Sequence, residues 1–404
     1  MKILQINCVY RDGSTGKITS DLHHELLLNN VESVVYYGRG AETSDKNVYK
    51  ICGEFYSRFN HFLCNLTGLM YGSCYLSTRK IKRYIIKEKP DIVHLQCING
   101  YFVNIYDLIA WLKSKRIKTV LTLHAEFMYT GNCGYALDCN QWQNGCTKCA
   151  NYKKITSSYF FDRTKDSWNK MQKSFDGFND IIIASVSPWM MERAQSSKIL
   201  SNKKHTVVLN GVDIDVFKCY TTSELRKKYA SNDEKILLHV TSYFSSNINH
   251  TKGGYHLLEL AKMLKGKNYK ILVVGNHESN IQVPDNVVLL GKISDQKDLA
   301  KLYSMSDVTI LTSKQEAFSM VVAESLCCGT PVVGFESGAP EQIAIKKWSR
   351  FSPFGNISEL YKNINEVISN DLNSTDIRND AVKKYSKQTM LQNYMHIYDE
   401  LTKL

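Results

Sequence analysis

The sequence predicts an α/β protein made of two doubly wound, Rossmann-like domains that face a cleft. Short apolar runs rich in β-branched residues alternate with segments whose apolar residues recur every three or four positions. This series occurs twice along 404 residues, a length typical of two or three domains. A turn-rich tetrapeptide at residues 210–213, Asn-Gly-Val-Asp, separates the two series.

In the first half, the alternation predicts a parallel sheet covered by helices on both faces. The predicted strands are Ile3–Val9, Val31–Tyr37, Asp91–Leu95, Thr119–Leu123, Asp180–Val186 and Thr206–Leu209. The predicted helices are Ile18–Leu28, Thr78–Lys89, Ile105–Lys115 and Asp162–Phe175.

The second half repeats the pattern and predicts a second sheet of the same kind. Its predicted strands are Ile236–Val240, Lys270–Val274, Val287–Leu289, Val308–Leu311 and Pro331–Phe335. Its predicted helices are Gly254–Leu264, Asp295–Ser304, Phe318–Cys328 and Lys387–Leu401. We therefore expect domains at 1–212 and 213–385, and a C-terminal helix at 386–404 that can cross back to the first domain.

Composition excludes several classes of protein. Hydrophobic residues make up 43% of the chain and charged residues 22%, which excludes disorder and fibrous repeats. The N-terminus lacks the unbroken apolar segment of a secretory signal, and no run of 18 apolar residues occurs. We expect a soluble cytoplasmic protein, peripheral on the inner face of the membrane if it docks there, with reduced cysteines.

Positive charge is concentrated in the first half. Residues 1–212 carry 28 Lys and Arg against 17 Asp and Glu, whereas residues 213–404 carry 23 against 22. The surplus favours an anionic surface or substrate, and a solvated basic surface is the alternative. Residues 55–75 are dense in aromatics and leucines and precede the basic segment 78–89, which suits docking on an anionic membrane. An ordinary core helix with a solvated outer face is the alternative there.

The segment Ser313–Glu324 carries the most informative chemistry. A strand ending at Thr312 passes through a polar loop into a helix, so the N–H groups of Phe318, Ser319 and Met320 fall at a helix N-terminus. Such a terminus binds anions. Glu316 lies in the loop, and Glu324 lies within an apolar helix, where a carboxylate needs a partner or a ligand's hydroxyl groups. The alternative is a helix-capping Glu316 and a neutral core Glu324.

This Glu-x7-Glu arrangement, followed by Gly329-Thr330-Pro331-Val332-Val333, resembles the signature of the retaining family 4 glycosyltransferases of the GT-B fold. The similarity extends over most of the chain, and His124–Cys149 is similar to enzymes of colanic acid and capsular polysaccharide synthesis. The other matching segments are Gly13-Ser14-Thr15-Gly16, Asn210-Gly211-Val212-Asp213 with Phe217, Lys252-Gly253 and Gly338-Ala339-Pro340-Glu341.

The resemblance implies a role for each of these donor-side residues. Glu324 would bind the ribose hydroxyls of a nucleotide-sugar, Glu316 the hydroxyls of the donor sugar, and the N–H groups of Phe318–Met320 the diphosphate. Lys252 would neutralise the leaving diphosphate. The sequence departs from the family in lacking an arginine shortly before Lys252-Gly253, so this task would fall to Lys252 and backbone N–H groups.

The resemblance also implies an acceptor side. His124, which ends a predicted strand, would contact the donor sugar and position the acceptor hydroxyl, and Gly16 would line the site near the donor phosphates. By position alone His124 is more often a structural histidine than a site residue, and the glycine loop is as readily a plain strand–helix turn.

The resemblance therefore implies a retaining hexosyltransferase, which we expect to need no cofactor for catalysis. Its donor would be a nucleotide-sugar and its acceptor a saccharide or lipid-linked polysaccharide unit. A GT-B-like sugar-nucleotide epimerase is the alternative. A basic, zinc-containing nucleic-acid-binding protein is disfavoured, because the basic residues are spread over several helices and no RNP-like aromatic pattern occurs. We expect no nucleic-acid partner.

Four cysteines, Cys133, Cys139, Cys146 and Cys149, fall in one Gly- and Asn-rich segment. Their C-x5-C-x6-C-x2-C spacing ends in a zinc-knuckle pair, so the segment predicts either a structural zinc ion or free thiols packed beneath the loop. Four sulfur ligands would leave no position for water, so such a zinc would not be catalytic.

Overall fold

The protein folds as two compact α/β units, each built on one parallel sheet. The computed structural model describes residues 1–231, 233–370 and 372–403. The first unit comprises Met1–Leu209 and the chain from Met390 onward, and the second comprises Asn210–Thr389. Each sheet is doubly wound, which confirms the predicted class of two Rossmann-like domains.

The first unit contains a seven-stranded sheet of order β3-β2-β1-β4-β5-β6-β7, with every pairing parallel. The central strands are buried along their whole length, as expected for strands covered by helices on both faces. The strands are β1 (Lys2–Val9), β2 (Glu32–Arg39), β3 (Val48–Lys50), β4 (Ile92–Leu95), β5 (Thr119–Leu123), β6 (Ile181–Ser185) and β7 (Lys204–Val207).

Two helices of this unit begin at a polar side chain that caps a free N–H group. The side chain of Asn104 accepts from the N–H of Asp107 at the start of α4, and that of Ser187 accepts from Met190 at the start of α7. The helices are α1 (Gly13–Leu28), α2 (Glu54–Thr67), α3 (Tyr75–Glu88), α4 (Ile105–Ser114), α5 (Tyr152–Thr156), α6 (Thr164–Phe175) and α7 (Pro188–Ser196).

The second unit contains a six-stranded parallel sheet of order β10-β9-β8-β11-β12-β13. Its core lies between this sheet and helices α9 and α13, where Leu257, Leu260, Leu360 and Ile364 are buried. The strands are β8 (Lys235–Phe244), β9 (Tyr269–His277), β10 (Val287–Gly291), β11 (Val308–Leu311), β12 (Val332–Phe335) and β13 (Ser349–Ser352). The helices are α8 (Ser223–Lys227), α9 (Gly254–Met263), α10 (Gln296–Met305), α11 (Met320–Cys327), α12 (Pro340–Ile343), α13 (Ile357–Ser369) and α14 (Ser374–Tyr385).

The last helix, α15 (Lys387–Lys403), packs against the sheet of the first unit. It buries the apolar or aromatic side chains of Met390, Leu391, Tyr394, Ile397, Tyr398 and Leu401. The hydroxyl of Tyr398 lies 2.7 Å from Nδ1 of His94 in β4, and the hydroxyl of Tyr394 lies 2.9 Å from Oγ1 of Thr122 in β5. The C-terminal segment is therefore joined to two central strands by buried polar contacts.

The predicted elements differ from the observed ones mainly at their ends. Helix α1 begins at Gly13 rather than Ile18, and α3 begins at Tyr75 rather than Thr78. Strand β7 spans residues 204–207 rather than 206–209. The structure adds elements that the periodicity did not predict, including α2, α13, α14 and β13. Within the described residues, every helix is too short or too polar to cross a membrane.

Candidate active site

The carboxyl ends of β8 and β11 form the topological switch point of the second unit. These strands are neighbours, but the chain continues from β8 to β9 on one side and from β11 to β12 on the other. Loops leaving such a pair diverge and open a crevice in which ligands bind. Lys252 lies in the loop after β8, and Glu316 lies in the loop after β11. Topology therefore brings these two predicted residues to one place.

Lys252 and Glu316 form an ion pair in this structure. Nζ of Lys252 lies 2.6 Å from Oε1 of Glu316, and both side chains are partly buried. The two loops touch closely, because a Cβ on Gly253 would lie only 1.8 Å from the carbonyl oxygen of Thr312. Gly253 also has a φ of +69°, so no other residue fits without strain. The glycine thus sets how near Lys252 comes to Glu316.

The backbone around Glu316 is held by the loop after β12. The N–H of Glu316 donates to the carbonyl of Ser337 (2.9 Å), and the N–H of Ala339 donates to the carbonyl of Glu316 (3.3 Å). The carboxylate of Glu341 in turn accepts from the N–H groups of Ser337 and Gly338, at 3.0 and 2.8 Å. The carboxylate of Glu341 therefore holds the backbone of residues 337–339, and this segment in turn holds the backbone of Glu316.

Helix α11 presents its N-terminus directly after Glu316. Phe318 and Ser319 are buried, Ser319 occupies the N-cap position with a φ of +81°, and Met320 begins the helix. A positive φ at a serine is uncommon, and such strain tends to occur at functional sites. The first N–H groups of a helix lack intrahelical acceptors, and the helix dipole is positive there, so this terminus suits an anion.

Glu324 lies one turn further along α11 and is partly buried. The hydroxyl of Tyr303, from helix α10, donates to Oε2 of Glu324 at 3.3 Å. Burial, and next the nearby Glu324 carboxylate, raise the pKa of Tyr303 well above its ordinary value, so this tyrosine stays a donor. The structure thus gives the Glu324 side chain a buried hydrogen-bond donor.

In the first unit, Gly16 and His124 both follow strands at the carboxyl edge of the sheet. Gly16 lies in the first turn of α1 rather than in a loop, and its carbonyl accepts from the N–H of Arg11 at 3.0 Å. A Cβ on Gly16 would lie 3.0 Å from Val9 and 3.2 Å from the backbone of Arg11. This glycine therefore lets α1 pack against the end of β1.

His124, directly after β5, is oriented by two glutamines. Its Nε2 lies 2.8 Å from Oε1 of Gln96, and Nε2 of Gln96 lies 3.3 Å from Oε1 of Gln5. With a carbonyl oxygen as acceptor, Nε2 of His124 carries the proton, which leaves the lone pair on Nδ1. Burial lowers the pKa of His124 to about 4, so the ring is neutral at pH 7.

Two family profiles match almost end to end along the chain. The profile for Glycosyltransferase Family 4 matches residues 16–216. The profile for Glycosyl transferases group 1 matches residues 221–389. The chain is a glycosyltransferase of the GT-B fold. The two matches correspond to its two α/β units, and the second contains Lys252, Glu316 and Glu324.

Relatives of this glycosyltransferase cover its full length at low identity. It is 20% identical over 99% of its length to all of WcaC of Escherichia coli strain K12, a protein provisionally assigned as a colanic acid biosynthesis glycosyl transferase. Sucrose-phosphate synthase from Thermosynechococcus elongatus superposes with a TM-score of 0.70 at 14% identity and 99% coverage of both chains. Anabaena HepE in complex with UDP superposes with a TM-score of 0.66 at 15% identity, covering 99% of this chain and 100% of HepE.

In the glycosyltransferase's first unit, the four cysteines of the segment 133–149 line one cavity of about 200 Å³. Cys133 and Cys146 are buried, Cys149 is partly buried and Cys139 is exposed. Burial raises the pKa of Cys146 to about 12, so the thiol is protonated at pH 7 in the absence of a metal. In the described parts of the chain, no group of three or more His, Cys, Asp or Glu is arranged to hold a metal ion. A structural zinc at these cysteines stays a prediction.

Several residues that shape the site were not identified as site residues from the sequence. Tyr303 is one of several apolar or aromatic residues with helical spacing in α10, and only the packing of α10 on α11 places its hydroxyl at Glu324. Gln96 could have been found, because a polar side chain directly after buried strand β4 lies at the same edge as His124. Glu341 belongs to a motif that the sequence identified, but its role as a backbone acceptor emerges only from the structure.

Proposed function

We propose that this glycosyltransferase moves a hexose-type sugar from a nucleoside diphosphate sugar to a growing, lipid-linked cell-surface polysaccharide unit, with retention at the anomeric carbon. One observation carries the donor assignment: the Lys252–Glu316 pair lies at the switch point beside the N-terminus of α11. A cation, a carboxylate and a helix N-terminus suit a diphosphate joined to a sugar. The UDP bound to the similar protein HepE supports this donor class.

The proposal gives each donor-side residue a task. The N–H groups at Phe318–Met320 bind the diphosphate, and Lys252 neutralises the charge that develops as it leaves. Glu316, released from Lys252 by the incoming phosphates, accepts hydrogen bonds from donor-sugar hydroxyls. Glu324 accepts from the ribose hydroxyls and is held by Tyr303. Because Lys252 and backbone N–H groups neutralise the diphosphate, we expect activity to persist in excess EDTA.

On the acceptor side, we assign to His124 the positioning of the acceptor hydroxyl. The hydrogen bond to Gln96 fixes the ring and leaves Nδ1 as an acceptor, which supports this role. We also assign the backbone of Gly16, in the first turn of α1, to the lining of the site near the donor phosphates. The whole-length likeness to WcaC supports a polysaccharide acceptor, and an enzyme peripheral on the inner face of the membrane would reach a lipid-linked one.

Donor binding and transfer can be tested separately. Calorimetry with UDP-, GDP- and ADP-sugars identifies the donor, and release of nucleoside diphosphate is then measured with and without a lipid extract. We expect release to depend on the acceptor, and NMR of the product to show the donor's anomeric configuration. Conversion of the donor sugar without any acceptor would instead establish the epimerase alternative.

The two glutamates provide the decisive variants. Glu316→Gln is expected to lower kcat by about 100-fold or more, because it removes a charged acceptor at the reacting sugar. Glu324→Ala is expected to raise the donor Kd by about 10- to 150-fold, since a charged hydrogen bond contributes about 1.5–3 kcal/mol. Glu259→Gln, an exposed glutamate of α9, is the matched control. Unchanged kinetics in both site variants would refute the assignment.

A further inference from the structure

The amphipathic helix α2 has its polar face buried and its apolar face exposed, the opposite of an ordinary surface helix. Its buried face is polar or small, and its exposed face is aromatic and apolar. The buried residues are Ser57, Asn60, Cys64 and Asn65. The exposed large hydrophobics are Phe55 (84% exposed), Phe59 (51%), Phe62 (50%) and Leu66 (38%). Because positions i, i+4, i+7 and i+11 lie on one helix face, these four side chains form a continuous apolar strip.

The strip continues onto the segment 159–161. The ring of Phe62 lies 6.5 Å from that of Tyr159, and the N–H of Tyr159 donates to the carbonyl of Asn65 at 2.8 Å. Tyr159, Phe160 and Phe161 are 48%, 64% and 57% exposed. Three consecutive exposed aromatics at the end of an exposed aromatic helix are far more than the scattered single hydrophobics of an ordinary surface.

The start of α3 extends the same surface in the other direction. The hydroxyl of Tyr56 in α2 contacts the backbone and side chain of Ser77 at 3.4 Å, so the two helices adjoin there. Next to Ser77, the side chains of Tyr75 and Leu76 are exposed. We call the set of Phe55, Phe59, Phe62, Leu66, Tyr75, Leu76 and 159–161 the docking surface.

Cations border the docking surface. Arg58 lies on the exposed face of α2 between Phe55 and Phe62, and Arg79 and Arg83 follow Leu76 at helical spacing on α3. Lys153 and Lys154 are exposed on α5, whose Tyr152 contacts the backbone of Phe160. The acidic groups nearby are already engaged: Glu54 pairs with Arg39, and Asp162 accepts from backbone N–H groups.

A basic cavity adjoins the docking surface at Tyr75. The cavity measures about 380 Å³ and lies beside helices α4 and α6. Its lining includes Lys113, Lys170 and Lys173, with one carboxylate, that of Asp107. Positive charge therefore lies on this side of the apolar surface as well as beside Arg79 and Arg83.

We propose that the docking surface inserts into the headgroup region of an anionic lipid bilayer. Aromatic rings suit the boundary between headgroups and acyl chains, and each nearby cation gains about 1 kcal/mol from a negatively charged leaflet. The ring of cations favours a bilayer over a second copy of this chain, which would bring like charges together. The inference deepens the proposed function, because it gives the enzyme a route to a lipid-linked acceptor.

Vesicle sedimentation without donor or acceptor tests the docking surface independently of activity. We expect the protein to sediment with vesicles of phosphatidylcholine and phosphatidylglycerol in equal parts, and to remain in solution with phosphatidylcholine alone. Phe59→Gln with Phe62→Gln should lower the partition coefficient by at least about tenfold, since two aromatic rings lose apolar burial. Arg79→Ala with Arg83→Ala should lower it by a similar factor and flatten its salt dependence.

The controls separate docking from misfolding and from self-association. Leu28→Gln changes a hydrophobic side chain on α1 that is more exposed than Phe59 or Phe62 and lies outside the docking surface, so this variant should bind as the unmodified protein does. Phe59→Trp keeps the apolar ring, so its fluorescence should shift to the blue and be quenched by brominated lipid. Absence of binding by the unmodified protein, or equal binding by all variants, would overturn the proposal. So would a dimer that Phe59→Gln with Phe62→Gln disperses while vesicle binding is unchanged.

The outcomes also distinguish this proposal from the proposed function. Loss of vesicle binding in a variant that still releases nucleoside diphosphate in the presence of a short, water-soluble acceptor supports both. If the protein binds vesicles but transfers no sugar, the proposed function is contradicted, whereas the proposal for the docking surface is still supported.

Discussion

At the scale of single residues, Lys252 is the side chain that we expect to change its partner when the donor binds. In the free chain its ammonium is neutralised by Glu316 at 2.6 Å, and a diphosphate at the start of α11 would compete for it. Such a flexible cation can pass from the carboxylate to the leaving phosphate without a change in the backbone. The absence of a nearby arginine in the sequence makes this lysine the main side-chain cation of the proposed donor site.

Lys252→Ala is therefore expected to lower kcat by about 100- to 1,000-fold, because stabilisation of the leaving group is lost in the transition state. Steady-state kinetics with the preferred donor and saturating acceptor measure this. Lys262→Ala, which removes an exposed lysine of α9, should leave kcat unchanged. A Lys252→Ala enzyme within twofold of the unmodified one would show that the diphosphate is neutralised elsewhere.

At the scale of elements, α15 is fixed by polar contacts as well as by its apolar face. His94 is buried between Oγ1 of Thr122 and the hydroxyl of Tyr398, each 2.7 Å away. Tyr398→Phe leaves one ring nitrogen of His94 without its partner, which costs about 1–3 kcal/mol. We expect a matching loss in the free energy of unfolding of the first unit, measured by urea denaturation. Tyr75→Phe, at an exposed tyrosine, should cost nothing, and an equal loss there would contradict this explanation.

The cysteine segment allows a second prediction for an element. If the four thiols that line one cavity close around zinc, the purified protein should contain about one zinc ion per chain by elemental analysis. Cys146→Ser with Cys149→Ser should remove it and lower the Tm, since binding of a structural metal contributes to folding. Cys219→Ser, an exposed cysteine of the second unit, is the control. A metal-free protein with an unchanged Tm in the double variant would favour packed free thiols.

At the scale of the whole molecule, the buried His94 and His239 and the partly buried His124 contribute to the response to acid. Burial lowers the pKa of His94 to about 3, and that of His124 and of His239 to about 4. These values lie below the ordinary 6.5 of an unfolded chain, so the unfolded state binds more protons between about pH 6.5 and 4. The stabilisation is present above pH 6.5 and is lost as the pH falls through this window.

Protonation of each such histidine in the unfolded state should lower the free energy of unfolding by up to about 1.4 kcal/mol per pH unit below pH 6. His94 and His124 affect the first unit and His239 the second, so both calorimetric transitions should shift to lower temperature between pH 7.5 and 5. His94→Gln should reduce the pH dependence of the first unit's free energy of unfolding by the contribution of about one proton. A Tm that is independent of pH over this range would show that the three rings are hydrated.

The sequence by itself determined the alternation of strands and helices, and with it the two parallel sheets. It also identified the loop and helix start that hold Glu316 and Met320. These features are local: a buried parallel strand reads as a short apolar run, and residues directly after it must lie at the carboxyl edge of the sheet. For the same reason the order of residues along the chain was enough to place His124 and Lys252 beyond strand ends.

Only the tertiary structure decided which partners meet across long stretches of chain. Tyr398 meets His94 although 304 residues separate them, and Tyr303 meets Glu324 because two helices pack on one sheet. The orientation of α2 is of the same kind, since periodicity did not predict this helix and only the structure shows that Phe59 and Phe62 lie on an exposed face of it. Spacing along a chain fixes which side chains lie together on an element, whereas packing between elements fixes what that face meets.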